Sequence, residues 1–333
     1  MNILITRLQN IGDMLAFIPA LRILRESIPD ARITLLTKHA GGIAIVKNCP
    51  YFDEIITVNN RSLKEKLRLL REFRKRKLDY FIISPQDLGR VPWALMGGAK
   101  KIIGYKKVFN KGEWKKEKLP FMINLAPEYN REKTETENCT ALINILLEKL
   151  NITPVMSQGL KLEYSWFTDE TIKTVKLKLT ELNILTDKLV TIAPYSKQSN
   201  KNWSEANWTE LCKMILKQGY TIILLGGKPE AKPCETLSTI DSDNIISMAG
   251  KLTLTESAYM IKLARLFSGP DSGPAFLATA VETPAVVLYG PADYRRWRPA
   301  ELAVPRIDIH APDKTMNSIQ VSEVCNAVNK LLK

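Results

Sequence analysis

Short runs of β-branched and other apolar residues alternate with longer amphipathic runs along this chain, and they do so twice. That alternation constrains the fold more than any single motif. In the first series, residues 2–8, 32–37, 54–58, 80–84 and 101–105 read as strands, and residues 14–25, 61–77 and 137–149 read as helices. Met14, Leu15, Phe17, Ile18, Leu21 and Leu24 fall near one face of the first helix. Leu63, Leu67, Leu70 and Phe73 form the expected apolar stripe of the second. The alternation weakens between residues 151 and 187, then resumes. Strands are expected at 190–193, 220–225, 244–248, 266–268 and 286–289, and helices at 204–217, 255–264 and 323–332, with Ser204 an N-cap. Strands alternating with helices imply βαβ units and parallel sheets. The expected fold is α/β, with two Rossmann-like doubly wound domains facing a central cleft.

A length of 333 residues suits two domains. The expected division is an N-terminal domain over 1–165, a linker over 166–187, a second domain over 188–315 and a closing helix over 316–333. No apolar run reaches the roughly 18 residues of a membrane span. The N-terminal apolar residues read as a strand, not as a secretory signal. The five cysteines are scattered and never spaced C-x-x-C, and only two histidines are present. This argues for reduced thiols in a cytosolic protein and against a metal site.

Lysine and arginine number 48 against 35 acidic residues, a formal net charge of +13. So basic a chain seeks anions, or is merely soluble. Zinc-finger spacing, RNP-type aromatic motifs and basic-zipper heptads are missing from the sequence, so nucleic acid is not the expected partner. The charge concentrates in the helix at 61–77 and the lysine-rich segment 100–118. Arg61, Lys64, Arg71, Arg74, Lys101, Lys106 and Lys107 are either solvated or meet a phosphorylated acceptor and the anionic inner leaflet of the membrane.

Ligands of open α/β sheets bind at the carboxyl ends of strands. Gly12-Asp13, Ser196, Gly226-Gly227, Asp271-Ser272-Gly273 and Gly290-Pro291 all fall there. The 271–273 turn precedes a helix, and its backbone N–H groups can hold an anion such as a diphosphate. Asp271 would repel a phosphate, so its carboxylate is expected to orient the loop while Ser272 and Gly273 make the contacts. Asp13 is either a helix N-terminal carboxylate or a general base.

Three stretches resemble the heptosyltransferase family that builds the inner core of bacterial lipopolysaccharide. They are Ile3-Leu4-Ile5-Thr6-Arg7-Leu8 with Ile11-Gly12-Asp13; Ile192-Ala193-Pro194 with Lys201-Asn202-Trp203; and Asp271-Ser272-Gly273-Pro274 with Thr283-Pro284 through Gly290-Pro291. The resemblance implies a GT-B architecture and an inverting, metal-independent glycosyltransferase needing no cofactor. The nucleotide-sugar donor, ADP-heptose, is then expected in the C-terminal domain. The acceptor, a phosphorylated lipid or lipopolysaccharide core, is expected in the N-terminal one.

Asp13 is the implied base, and Lys201 offsets charge on the leaving diphosphate. Ser196 and Lys197 lie near the phosphates, Glu230 suits the ribose diol, and Met248 and Gly250 line the base pocket. The closing helix is expected to cross back to the N-terminal domain, and the protein to work peripherally on the cytoplasmic face of the inner membrane. One position departs from the family pattern. Phe276 stands where the family often carries a histidine, so the site either omits a phosphate contact or takes another sugar, such as a hexose or N-acetylglucosamine. A non-catalytic protein binding anionic surfaces or nucleic acid is the reading of another class.

Overall fold

The computed structural model describes residues 1–8, 10–38, 40–60, 62–110 and 112–333. The chain forms two compact units. The first comprises Met1–Lys161 with the short segment Arg295–Glu301; the second comprises Leu162–Tyr294 and Leu302–Lys333.

The first unit runs β1 (Asn2–Thr6), α1 (Ile11–Ser27), β2 (Arg32–Thr37), α2 (Ala40–Val46), β3 (Glu54–Thr57), α3 (Leu63–Lys75), β4 (Tyr80–Ile83), α4 (Val91–Met96), β5 (Lys101–Ile103), β6 (Lys107–Asn110), β7 (Glu113–Lys116) and α5 (Glu135–Lys149). β1 to β5 form a parallel sheet in the order β3-β2-β1-β4-β5. Ile3, Leu4 and Ile5 of β1 are fully buried, as a strand covered on both faces requires. α1 is apolar almost all round from Met14 to Leu24 because it is enclosed by its neighbours and packs along α5.

α3 is placed differently from the sequence expectation. Ser62 caps it by accepting the Glu65 N–H. Its inward face carries Glu65, Leu69 and Phe73, while Leu63 and Leu67 are 71% and 47% exposed. The buried Glu65 carboxylate is matched by Arg68 and the Asn59 N–H, and the Arg68 hydrogen bonds hold its pKa down at about 2. Polar partners let that face turn inward at the expense of a longer leucine stripe. The lysine-rich segment folds as the antiparallel hairpin β6–β7, with Phe109 opposite Trp114 and the Lys107 ammonium 4.9 Å from the Trp114 ring centre.

The second unit runs α6 (Asp169–Glu181), β8 (Leu189–Ile192), α7 (Glu205–Leu216), β9 (Thr221–Leu224), α8 (Ala231–Ser238), β10 (Ile245–Ser247), α9 (Leu254–Leu263), β11 (Leu266–Pro270), α10 (Gly273–Ala280), β12 (Ala285–Tyr289), β13 (Arg306–His310) and α12 (Val321–Leu332). Between β12 and β13 lies α11 (Tyr294–Trp297), which belongs to the first unit from Arg295 on. All six strands are parallel, in the order β10-β9-β8-β11-β12-β13. Ser204 caps α7. The segment expected as a linker holds α6, capped by Thr168 and packed on α9 within this unit.

The closing helix also departs from expectation. Val324, Ala327, Val328 and Leu332 of α12 join the core of the second unit, so the helix stays there. The apolar face of α12 is matched by α7 and the sheet of its own unit. It is Arg295–Glu301 that belongs to the first. Among the described residues, no helix is long and apolar enough to cross a membrane.

Candidate active site

Both sheets reverse strand order beside their first strand, and such a switch point opens a crevice at the strand ends. In the second unit the reversal lies between β8 and β11. The loop after β8 carries Lys201, and the turn after β11 carries Asp271. Lys201 Nζ donates to the Asp271 carboxylate at 2.8 Å and to its main-chain oxygen at 3.0 Å, across the switch point. The two side chains are only 18% and 5% exposed. An ammonium has three N–H groups, so one remains for a ligand.

Asp271 thus positions the cation and does not face an anion itself. Ser272 follows in extended conformation with φ −152° and opens α10. Its Oγ is buried without a hydrogen-bond partner among the described residues. The Ser272 and Gly273 N–H groups have no protein acceptor among the described residues. An ammonium, a hydroxyl and helix N-terminal amides are the donor set for a diphosphate.

Glu230, Gly226-Gly227, Met248 and Gly250 come together at the ends of β9 and β10. Glu230 Oε2 accepts the Gly227 N–H at 2.7 Å. The Gly250 N–H donates to Gly226 O at 3.0 Å. Gly250 has φ +74°, and a Cβ there would lie 3.2 Å from Lys228 Cα, so both backbone and space demand glycine. Met248 is half-buried beside them. Gly290 and Pro291 end β12, where a Cβ on Gly290 would come within 2.6 Å of Met316 Sδ. A larger residue there would have to displace the Met316 side chain.

Ser196 is turned to its own loop. Its hydroxyl donates to Gln198 O and accepts the Gln198 N–H, and its own N–H goes to Asn202. Lys197 is exposed. Phe276 lies one turn into α10 and is 9% exposed.

In the first unit the reversal lies between β1 and β4, and Asp13 sits there in the first turn of α1. Its Oδ2 accepts the Asn10 N–H at 3.2 Å. Its Oδ1 lies 3.8 Å from Arg7 and accepts no hydrogen bond among the described residues. Arg7 is fully buried and spends its N–H groups elsewhere: Nε and Nη2 donate to Asp13 main-chain O, and Nη1 to Glu135 at 3.0 Å. Arg296 and Gln86 hold the other oxygen of Glu135, at 3.0 and 3.2 Å.

Burial pushes the Asp13 carboxyl pKa upward. Arg7, the Asn10 N–H and Arg296 oppose the shift, while Glu135 adds to it, and the net direction is up. Burial works against the Arg7 charge, but Cys139, Glu135, Asp13 and Asp87 outweigh it and hold that guanidinium firmly protonated. Asp13 is therefore a more basic carboxylate than the helix N-terminus alone would give.

The basic residues of this unit are dispersed. Lys64, Arg71, Lys101 and Lys106 are exposed, Lys107 lies over Trp114, and Arg74 donates to Met96 O. Arg61 lies outside the described residues.

A family model for glycosyltransferase family 9 (heptosyltransferase) matches residues 66–322. The chain belongs to glycosyltransferase family 9. It is 27% identical over 306 residues to lipopolysaccharide heptosyltransferase 3 of Escherichia coli (strain K12), across 86% of this chain and 82% of that protein. In structure this family 9 glycosyltransferase is similar to E. coli ADP-heptose LPS heptosyltransferase II, with TM-score 0.78 and 18% identity over 100% of this chain and 98% of that one. It is also similar to E. coli heptosyltransferase WaaC with ADP, with TM-score 0.75 and 18% identity over 99% and 100%. The fold is GT-B, built of two Rossmann-like domains.

The sequence reading of this glycosyltransferase missed Arg7, Gln86, Glu135 and Arg296. The signal for Arg7 was present, since a cation ends an otherwise apolar strand run, Ile3-Leu4-Ile5-Thr6-Arg7-Leu8. Glu135 and Arg296 show nothing locally that separates them from surface charges.

Proposed function

We propose that this glycosyltransferase moves heptose from ADP-heptose to a lipopolysaccharide inner-core acceptor, with inversion at the anomeric carbon. The observation that carries the reading is the donor set Lys201, Ser272 and Gly273 at the switch point of the second unit, with Lys201 held there by Asp271. The names of the similar proteins, lipopolysaccharide heptosyltransferase 3 and the ADP-heptose and ADP-bound heptosyltransferases, support the donor and the pathway.

Asp13 takes the proton of the acceptor hydroxyl. That oxygen attacks the anomeric carbon on the face opposite the nucleotide, and the bond from that carbon to the diphosphate oxygen breaks. Lys201 and the Ser272 and Gly273 donors meet the charge that develops on the departing ADP. The open oxygen of Glu230 suits the ribose diol, and Met248 and Gly250 suit the base. Gly290-Pro291 completes the donor side, with Ser196 and Lys197 at its edge.

Acceptor of this kind is presented at a membrane. α3 carries Leu63 and Leu67, exposed, among Lys64, Arg71 and Arg74. With Lys101, Lys106 and Lys107 they suit the anionic inner leaflet and a phosphorylated lipid acceptor, which supports a peripheral role on the cytoplasmic face.

Phe276 favours a second reading, transfer of a hexose or N-acetylglucosamine, because it offers no hydrogen bond to phosphate. A thermal-shift series with ADP, UDP and GDP separates the nucleotide classes. ADP at a hundredfold excess over its Kd is expected to stabilise by about 2.7 kcal/mol. Stabilisation by UDP but not ADP would move the assignment to the second reading.

A further inference from the structure

Glu135 has no part in the proton transfer described above, yet it is among the most enclosed charges of the first unit. Its side chain is 1% exposed. It opens α5, is met by Arg7 on one oxygen and by Arg296 and Gln86 on the other, and has Cys139 Sγ at 3.8 Å. Arg296 in turn donates to Phe109 O and Asn110 Oδ1 of β6.

An enclosed carboxylate between two guanidiniums is costly to build for stability alone. What it does locally is fix the direction of Arg7. With Nη1 on Glu135, the remaining donors fall on the main-chain oxygen of Asp13, and its Oδ1 is left without a hydrogen bond among the described residues. We propose that Glu135 is a positioning residue for the transfer reaction, holding Arg7 off the Asp13 carboxylate, and that Arg296 is its counterweight.

The inference rests on the reading of Asp13 as the base. The charged and titratable groups facing Asp13 are Arg7 after β1, Glu135 and Cys139 of α5 and Arg296 of α11, with Asp87 after β4 acting on Arg7. The Cys139 thiol is pushed well up by burial and stays neutral.

The signs are opposite for the two partners. Glu135→Gln removes a like charge and releases Arg7 towards Asp13, so the acid limb of kcat/KM moves to lower pH by roughly one unit. Arg296→Gln removes a cation and moves the limb to higher pH. Glu135→Asp keeps the charge and restores the wild-type limb.

Titration of the 13C-labelled Asp13 carboxyl, followed by NMR in the same full-length variants, reads the same shifts without any substrate. Opposite shifts in the two Gln variants support the proposal, as does the Arg296→Gln shift alone if Glu135→Gln does not fold. An Asp13 titration unmoved, or moved in one direction by both changes, overturns it. Wild-type protein that titrates as described but transfers no sugar would contradict the proposed function and leave the positioning of Asp13 standing.

Discussion

Lys201 Nζ sits 2.8 Å from the Asp271 carboxylate, joining the loop after β8 to the turn after β11. The pair closes the switch point of the second sheet and leaves the ammonium one donor to spend on a ligand. Lys201→Met keeps the aliphatic stem and removes that donor. Turnover is expected to fall roughly 10²–10³-fold, the usual cost of one donor to developing negative charge. Circular dichroism and steady-state kinetics on the same preparation check this. Unchanged turnover in a folded variant would show that the diphosphate is met elsewhere.

Asp13→Asn removes the proton acceptor and retains the side-chain oxygen that can accept the Asn10 N–H. Turnover is expected to drop roughly 10²–10⁴-fold. Stability should move the other way. The folded pKa of Asp13 is raised above the unfolded value, so the folded state holds the proton more tightly. Its contribution to stability is then fully present at low pH and is lost as pH rises through the folded pKa. Asp13→Asn should lack that loss, giving a flatter curve of Tm against pH than wild type. A variant that is less stable at neutral pH would mean that Asp13 is a structural helix residue.

Phe276 is buried in α10, one turn beyond the Ser272 donor set. Truncation to alanine should cost roughly 3–5 kcal/mol, measurable by urea denaturation. Phe276→His places a donor near the phosphates and is expected to fold and to favour ADP-heptose over other sugar nucleotides. A large loss of stability with donor preference unmoved would assign Phe276 to packing alone.

The exposed face of α3 predicts salt-dependent lipid binding. Co-sedimentation with vesicles containing anionic lipid should fall between low and physiological salt, where the Debye length shortens to about 8 Å. Leu63→Ser with Leu67→Ser should weaken it at any salt, since both side chains are exposed and their loss leaves the core intact. Equal binding to neutral vesicles, or stronger binding to duplex DNA, would contradict a membrane role for this surface.

The two sheets, and the strand ends where ligands gather, were legible because buried parallel strands are continuous apolar runs and turns are marked by glycine. Lys201, Asp271 and Ser272 could be placed on one side of one sheet from that pattern. The α3 stripe was misread because 63, 67, 70 and 73 obey helical spacing as well as 65, 69 and 73 do. A glutamate on the inward face hides the true stripe, and only its bonds to Arg68 and Asn59 explain its burial. α6 was missed because its buried positions are few, Thr171, Val175 and Leu179. The pairing of Arg7, Glu135 and Arg296 was not legible, even though Arg7 itself stands out at the end of an apolar run. The partners lie 128 and 161 residues apart, and no local pattern reports an ion pair made by tertiary folding.

The central claim is heptosyl transfer from ADP-heptose. It is tested most directly by incubating the protein with ADP-heptose and a core-truncated lipopolysaccharide acceptor, with other nucleotide sugars in parallel, and weighing the product by mass spectrometry. A gain of one heptose mass with stoichiometric ADP release, lost in Asp13→Asn, is the predicted result. Transfer of a hexose or N-acetylglucosamine instead, or no transfer from any donor by folded protein, would contradict it.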